Sequence, residues 1–129
     1  MGRMATVFVF AARGRFQTIA AVHEFVDQTY TDDGDAVPSR FMTEIDLSGY
    51  DPMCIETVHS PRPVPLAELL RGTSFADQWA SQVDASLIAD SAICAFSPNA
   101  VARPERSSLD YVGAFGYDAT ARGIPVDRP

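Results

Sequence analysis

Apolar residues change their spacing several times along this chain, and each change marks an element. Ala5 to Ala12, ATVFVFAA, is an unbroken apolar run rich in β-branched and aromatic side chains, which predicts a strand that is central or covered on both faces. From Phe16 the spacing becomes helical. Phe16, Ile19, Val22, His23, Val26 and Tyr30 recur at three- and four-residue intervals and predict an amphipathic helix over Phe16 to Tyr30, with Glu24 and Asp27 toward solvent. The run Asp32-Asp33-Gly34-Asp35 should end that helix, because aspartate and glycine favour turns and glycine tolerates positive φ. Pro38-Ser39 then opens a short second helix to about Ile45, with Phe41, Met42 and Ile45 on its apolar side and Ser48-Gly49 closing it.

Met53 to Val58 alternates as a strand, with Met53, Ile55 and Thr57 on one face and Cys54, Glu56 and Val58 on the other. Prolines 61, 63 and 65 make the next stretch extended, stiff and poor in backbone donors. Pro65 suits the first turn of a helix LAELLRG, which Gly72 terminates. Ser74 heads a longer helix in which Phe75, Trp79 and Val83 repeat every four residues and Asp77 occupies the first turn. Ala89 to Phe96 and Leu109 to Tyr117 read as two further strands, the second with glycines at 113 and 116 that suggest close approach or a bulge.

The resulting order, β-α-α-β-α-α-β-β, alternates too little for a doubly wound sheet. It predicts an α+β fold of about four mainly antiparallel strands with helices packed on one face. Length fits one domain over residues 1–118, followed by a loosely ordered tail over 119–129. Apolar content of 47% is enough for a real core.

Charge changes this picture in one region. Between His23 and Thr57 stand nine carboxylates, Glu24, Asp27, Asp32, Asp33, Asp35, Glu44, Asp46, Asp51 and Glu56, against one cation, Arg40. That local excess of minus eight accounts for the whole chain's minus seven, since the other eight carboxylates and nine arginines nearly cancel. Such a balance argues against nucleic-acid and anionic-membrane partners, whose phosphates demand clustered cations, and leaves a basic macromolecule open. No stretch approaches the roughly 18 apolar residues of a membrane span, and the N-terminal apolar run lacks the form of a signal peptide, so the expected location is cytoplasmic. Cys54 and Cys94 read as reduced thiols within apolar strands, although spacing alone does not decide against a bond between them.

Candidate chemistry is sparse. His23 and His59 form no metal-binding spacing, and if Gly34 took the sixth position of a calcium loop the twelfth would be Arg40 rather than a carboxylate. No serine sits in a G-x-S-x-G elbow, and the glycines near 113 follow no phosphate-binding pattern. The reading therefore names no catalytic residue, no metal ligand and no cofactor. What clustered carboxylates on a folded scaffold can do is attract a cationic face and, where arginine forks desolvate them, form charge-assisted hydrogen bonds. The residues expected to contact such a partner are Asp32, Asp33, Asp35, Glu44, Asp46, Asp51 and Glu56.

The order of features also resembles a known family. An opening apolar strand, a helix ending in Tyr30, an acidic turn, Pro38-Ser39-Arg40-Phe41-Met42, Tyr50-Asp51 with Glu56 beyond, Leu66 to Leu70 with Gly72, Ser74-Phe75, Ala95-Phe96 and a closing Leu109 to Phe115 together resemble the immunity protein 22 family of bacterial polymorphic toxin systems. The resemblance spans about residues 5 to 117 and departs at Phe10-Ala11-Ala12, which lacks an aromatic-glycine ending, and at Pro52. It implies an α+β cytoplasmic protein that neutralises a cognate toxin by binding it, with no catalytic residues of its own. Many toxins of such systems act on nucleic acids and so present a basic face, which an acidic patch would cover. The alternatives are a small enzyme or ligand-binding domain with a cleft between sheet and helices, and a general interaction domain with no toxin.

Overall fold

The computed structural model describes residues 4–120. Its elements in chain order are β1 (Met4–Ala12), α1 (Ile19–Val26), β2 (Thr29–Tyr30), β3 (Ala36–Val37), α2 (Arg40–Ile45), β4 (Leu47–Ser48) and β5 (Ile55–Pro65). There follow α3 (Leu66–Leu69), α4 (Ala76–Trp79), β6 (Ile88–Phe96), β7 (Ala100–Val101) and β8 (Asp110–Asp118), with short 3₁₀ turns at Pro52–Cys54, Leu70–Gly72, Ala80–Gln82 and Pro104–Arg106. The long strands form one sheet in the order β5-β6-β1-β8, and every pairing in it is antiparallel. These are the four strands that hydrophobic patterning predicts. The α+β class and its mainly antiparallel sheet follow.

The helices lie on both faces of that sheet, not on one. Side chains of β1 divide by alternation, as pleating requires. Val7, Val9 and Ala11 join Cys94 and Phe96 of β6, Tyr117 of β8, and Leu66, Leu70, Trp79 and Val83 from the α3–α4 segment in one core. Phe10 and Ala12 turn the other way, with Ile93, against Phe16, Val22, Phe25, Val26, Phe41 and Ile45 from the α1–α2 segment. The unbroken apolar run of β1 already required cover on both sides, so expecting helices on one face conflicted with that strand's own composition. Strand order explains how both faces close: β1 and β5 run parallel with β6 between them, so the intervening chain crosses one face carrying α1 and α2. The return from β5 to β6 covers the other.

Several boundaries shift for local reasons. The first helix occupies only Ile19–Val26; Thr18 caps it by accepting from the Ala21 N–H at 3.1 Å, and Asp27 leaves helical geometry at ψ 135°. Thr29 and Tyr30, a β-branched and an aromatic residue, pair instead with Val37 and Ala36. Asp32-Asp33-Gly34-Asp35 therefore turns a small hairpin and does not stop a helix. In α2, Ser39 caps the start by accepting from Met42 N–H at 3.2 Å, while Asp46, in the left-handed conformation at φ 52°, ends it before Ser48-Gly49. The helix expected after Ser74 is a single turn, Ala76–Trp79, continued as 3₁₀. Strand β5 runs on through the proline stretch to Pro65, with its register against β6 broken between His59 and Val64. The expected C-terminal tail lies, from residue 121 onward, outside the described residues.

Candidate functional site

The hairpin β2–β3 is built for exposure. Its turn closes through the Thr31 N–H on the Asp35 carbonyl at 2.9 Å, the Gly34 N–H on the Thr31 carbonyl at 2.9 Å, and the Asp35 N–H on Thr31 Oγ1 at 3.1 Å. Gly34 takes φ 88°, a region that costs glycine least. Every residue from Thr29 to Pro38 is exposed. Asp32, Asp33 and Asp35 are thus presented together on one rigid turn, and among the described residues no cation lies within ion-pair distance of them.

Beneath the hairpin runs an open groove of about 360 Å³, lined by His23, Asp27, Gln28, Tyr30, Tyr50, Pro52, Ile55 and Thr57. It lies where the last turn of α1, the base of the hairpin and the outer strand β5 meet. Gln28 organises it: its side-chain amide donates to the Tyr30 hydroxyl at 3.1 Å and its backbone N–H to the Tyr50 hydroxyl at 3.4 Å. Tyr30 is therefore held in place although 65% exposed. His23 Nδ1 meets Asp27 Oδ2 at 3.1 Å, and its Nε2 lies 3.4 Å from Thr57 Oγ1. Met53, next in the chain to Pro52, is 87% exposed.

The wall carrying Tyr50 and Pro52 is fixed from inside. Asn99 is buried, and its carboxamide accepts from the Asp51 N–H at 2.9 Å while donating to the carbonyls of Asp51 at 3.1 Å and Phe96 at 2.9 Å. Asp51 in turn caps the 3₁₀ turn that begins at Pro52 by accepting from Met53 N–H at 3.0 Å. Gly49 meets the same region so closely that a Cβ there would stand 2.8 Å from the Pro98 carbonyl oxygen.

The seven carboxylates singled out in the sequence thus divide. Asp32, Asp33 and Asp35 share the hairpin turn, and Asp46 is exposed at the end of α2, where its carbonyl accepts from Ala102 N–H at 3.4 Å. Asp51 is half-buried at the groove wall, engaged with Met53 and, at 3.6 Å, with the Cys54 thiol. Glu44 is turned inward, accepting from Arg40 Nε at 2.8 Å and from Ser108 N–H at 2.7 Å. Glu56 leaves the group altogether: it projects onto the α3–α4 face, where it accepts from Ser74 N–H at 2.9 Å. Sequence reasoning missed Asp27, Tyr30 and Tyr50 as groove residues, because a helix drawn through to Tyr30 assigns Tyr30 to the core. It also missed Asn99, which reads as an ordinary turn residue.

Burial and charge shape the thiols and phenols around the sheet. Burial pushes the Cys94 thiol far above its ordinary value, helped by the negative Glu56; Cys54 is raised by burial and then by Asp51. Tyr117 is likewise raised, chiefly by burial. Both cysteines are free, Cys94 buried and Cys54 half-buried. One further polar chain looks like a nucleophile's support: His59 Nδ1 lies 2.9 Å from Ser91 Oγ, which donates to Asp90 Oδ1 at 3.2 Å. The hydroxyl stands between carboxylate and imidazole, so the carboxylate does not orient the histidine as a triad needs, and Ser91 is 1% exposed. Asp90 also accepts from Gly14 N–H at 2.9 Å, so this chain of bonds ties the end of β1 to the sheet. Among the described residues, no group of three or more His, Cys, Asp or Glu side chains is placed to hold a metal ion, and no helix is long and apolar enough to cross a membrane.

The antiparallel sheet is thus covered by helices on both faces and carries an acidic turn and a tyrosine-lined groove on its outside. The sequence model of the family described as Immunity protein 22 matches residues 9–118, and the chain belongs to that family. Membership implies a toxin-neutralising role with a toxin as partner. Comparison with the curated proteins and with the solved structures gives no match.

Proposed function

We propose that this protein neutralises its cognate toxin by laying an acidic face, centred on the β2–β3 hairpin, over a basic functional surface of the toxin in the bacterial cytoplasm. The supporting observation is the turn itself. Asp32, Asp33 and Asp35 stand exposed and unneutralised by any described cation on a rigid projection, in the one region that carries the chain's charge excess. Concentrated negative potential accelerates encounter with a cationic partner and sets its orientation. The other predicted contacts divide in role: Asp51 stands beside Tyr50 and Pro52 at the groove, Asp46 is exposed at the end of α2, and Glu44 and Glu56 hold the scaffold through the Ser108 and Ser74 amides.

Co-expression with the toxin encoded beside it tests this. The wild-type chain rescues growth and co-elutes with the toxin, whereas an Asp32→Asn/Asp33→Asn/Asp35→Asn variant folds normally, because all three side chains are exposed, and protects poorly. A wild-type chain that neither rescues nor co-elutes would refute the reading.

A further inference from the structure

The groove under the hairpin has a chemistry more particular than negative charge. Asp27 is exposed, with its Oδ2 3.1 Å from His23 Nδ1, and lines the groove. The carboxyl end of α1, the negative pole of its dipole, points to the same place. Tyr30 offers a largely uncovered ring whose hydroxyl is fixed by Gln28, so its face is presented without the entropy loss of ordering it on contact. Pro52 and Ile55 supply apolar walls for a methylene stem, and Tyr50 and Thr57 add hydroxyls.

We propose that this groove receives an arginine side chain of the toxin, its guanidinium paired with Asp27 and stacked on Tyr30. Arginine suits the site better than lysine. A planar, weakly hydrated guanidinium can lie on an aromatic face and still present a fork of N–H donors to a carboxylate, whereas an ammonium is a compact, strongly hydrated point charge. The inference rests on the neutralisation reading and assigns a task distinct from the hairpin's: the turn attracts, and the groove recognises.

Hexa-arginine and hexa-lysine peptides, titrated into the full chain by calorimetry at low salt, separate the two tasks. The wild type binds hexa-arginine at least about threefold tighter than hexa-lysine. Tyr30→Ala abolishes that preference, and Asp27→Asn weakens hexa-arginine about tenfold. The hairpin triple variant weakens both peptides and keeps the preference. Equal binding of the two peptides by the wild type, or an unchanged preference in Tyr30→Ala, would overturn the proposal. A parallel titration with the toxin distinguishes the failures. If Tyr30→Ala leaves toxin affinity unchanged while the hairpin variant loses it, the groove inference fails and neutralisation stands. If the wild type binds no toxin, neutralisation fails and the arginine preference is judged on the peptides alone.

Discussion

Asn99 shows how much one buried side chain can organise. It satisfies two backbone groups of Asp51 and one of Phe96; the Asp51 carbonyl also accepts from Cys54 N–H at 3.0 Å and the Phe96 carbonyl from the Asn99 N–H at 3.1 Å, so truncation removes the side-chain partner of the Asp51 N–H above all. Asn99→Ala should cost about 1–3 kcal/mol, measured by urea unfolding, because the Asp51 N–H loses its partner and the two carbonyls each lose one of two donors. It should also broaden the amide resonances of Tyr50 and Asp51, since the groove wall hangs on this residue. Cys94 gives a prediction in pH. Its thiol is raised in the folded state by burial and then by Glu56, so the contribution of the neutral thiol is fully present below the unfolded thiol pKa, about 8.5, and is lost as pH rises above it. Urea midpoints should fall above that pH, and fall less in Cys94→Ala; Cys54, raised in the same direction, keeps part of the slope. A midpoint independent of pH over this range would show that Cys94 is not shielded.

At the scale of elements, the sheet matters most because both of its faces are load surfaces for helices. Phe10 lies fully buried, edge-on to Phe41 at 5.1 Å between ring centroids, while Trp79 stacks on Phe115 at 5.8 Å on the opposite side. Phe10→Ala and Trp79→Ala should each cost about 3–5 kcal/mol, and with the sheet between them the two losses should add within about 0.5 kcal/mol in the double mutant. A large coupling energy would mean that the two cores are one. The central strands were legible in the sequence because β1 and β6 carry long apolar runs, and α2 because Ser39, Phe41, Met42 and Ile45 mark its cap and buried face. The two-residue strands were not: β2 and β3 hold only Thr29-Tyr30 and Ala36-Val37, too short to show a period. The same limit hid the candidate site. A stripe of Val22, Val26 and Tyr30 fits a helix well, and only the break at Asp27 turns Tyr30 outward.

For the whole molecule, folding redistributes the charge that the sequence concentrates. Nine acids crowd one stretch of sequence, yet folding sends Glu56 to the far face and engages Glu44 with Arg40 and Ser108. It leaves Glu24 exposed on α1 and Asp46 at the end of α2, with Asp32, Asp33 and Asp35 together on the hairpin and Asp27 in the groove. The concentration of acids was visible in the sequence; their partition was not, because it depends on strand alternation in β5 and on distant amides at Ser74 and Ser108. Glu44→Gln should therefore affect stability more than toxin association, whereas changes at Asp32, Asp33 and Asp35 should do the reverse, as parallel unfolding and binding measurements would show. The most direct test is the association rate of the toxin with the wild-type chain and with the Asp32→Asn/Asp33→Asn/Asp35→Asn variant, measured by stopped flow at low and at physiological salt. The account predicts that the variant associates about ten- to a hundredfold more slowly at low salt, with the gap shrinking as salt screens the field. Equal rates for the two proteins at low salt would contradict it.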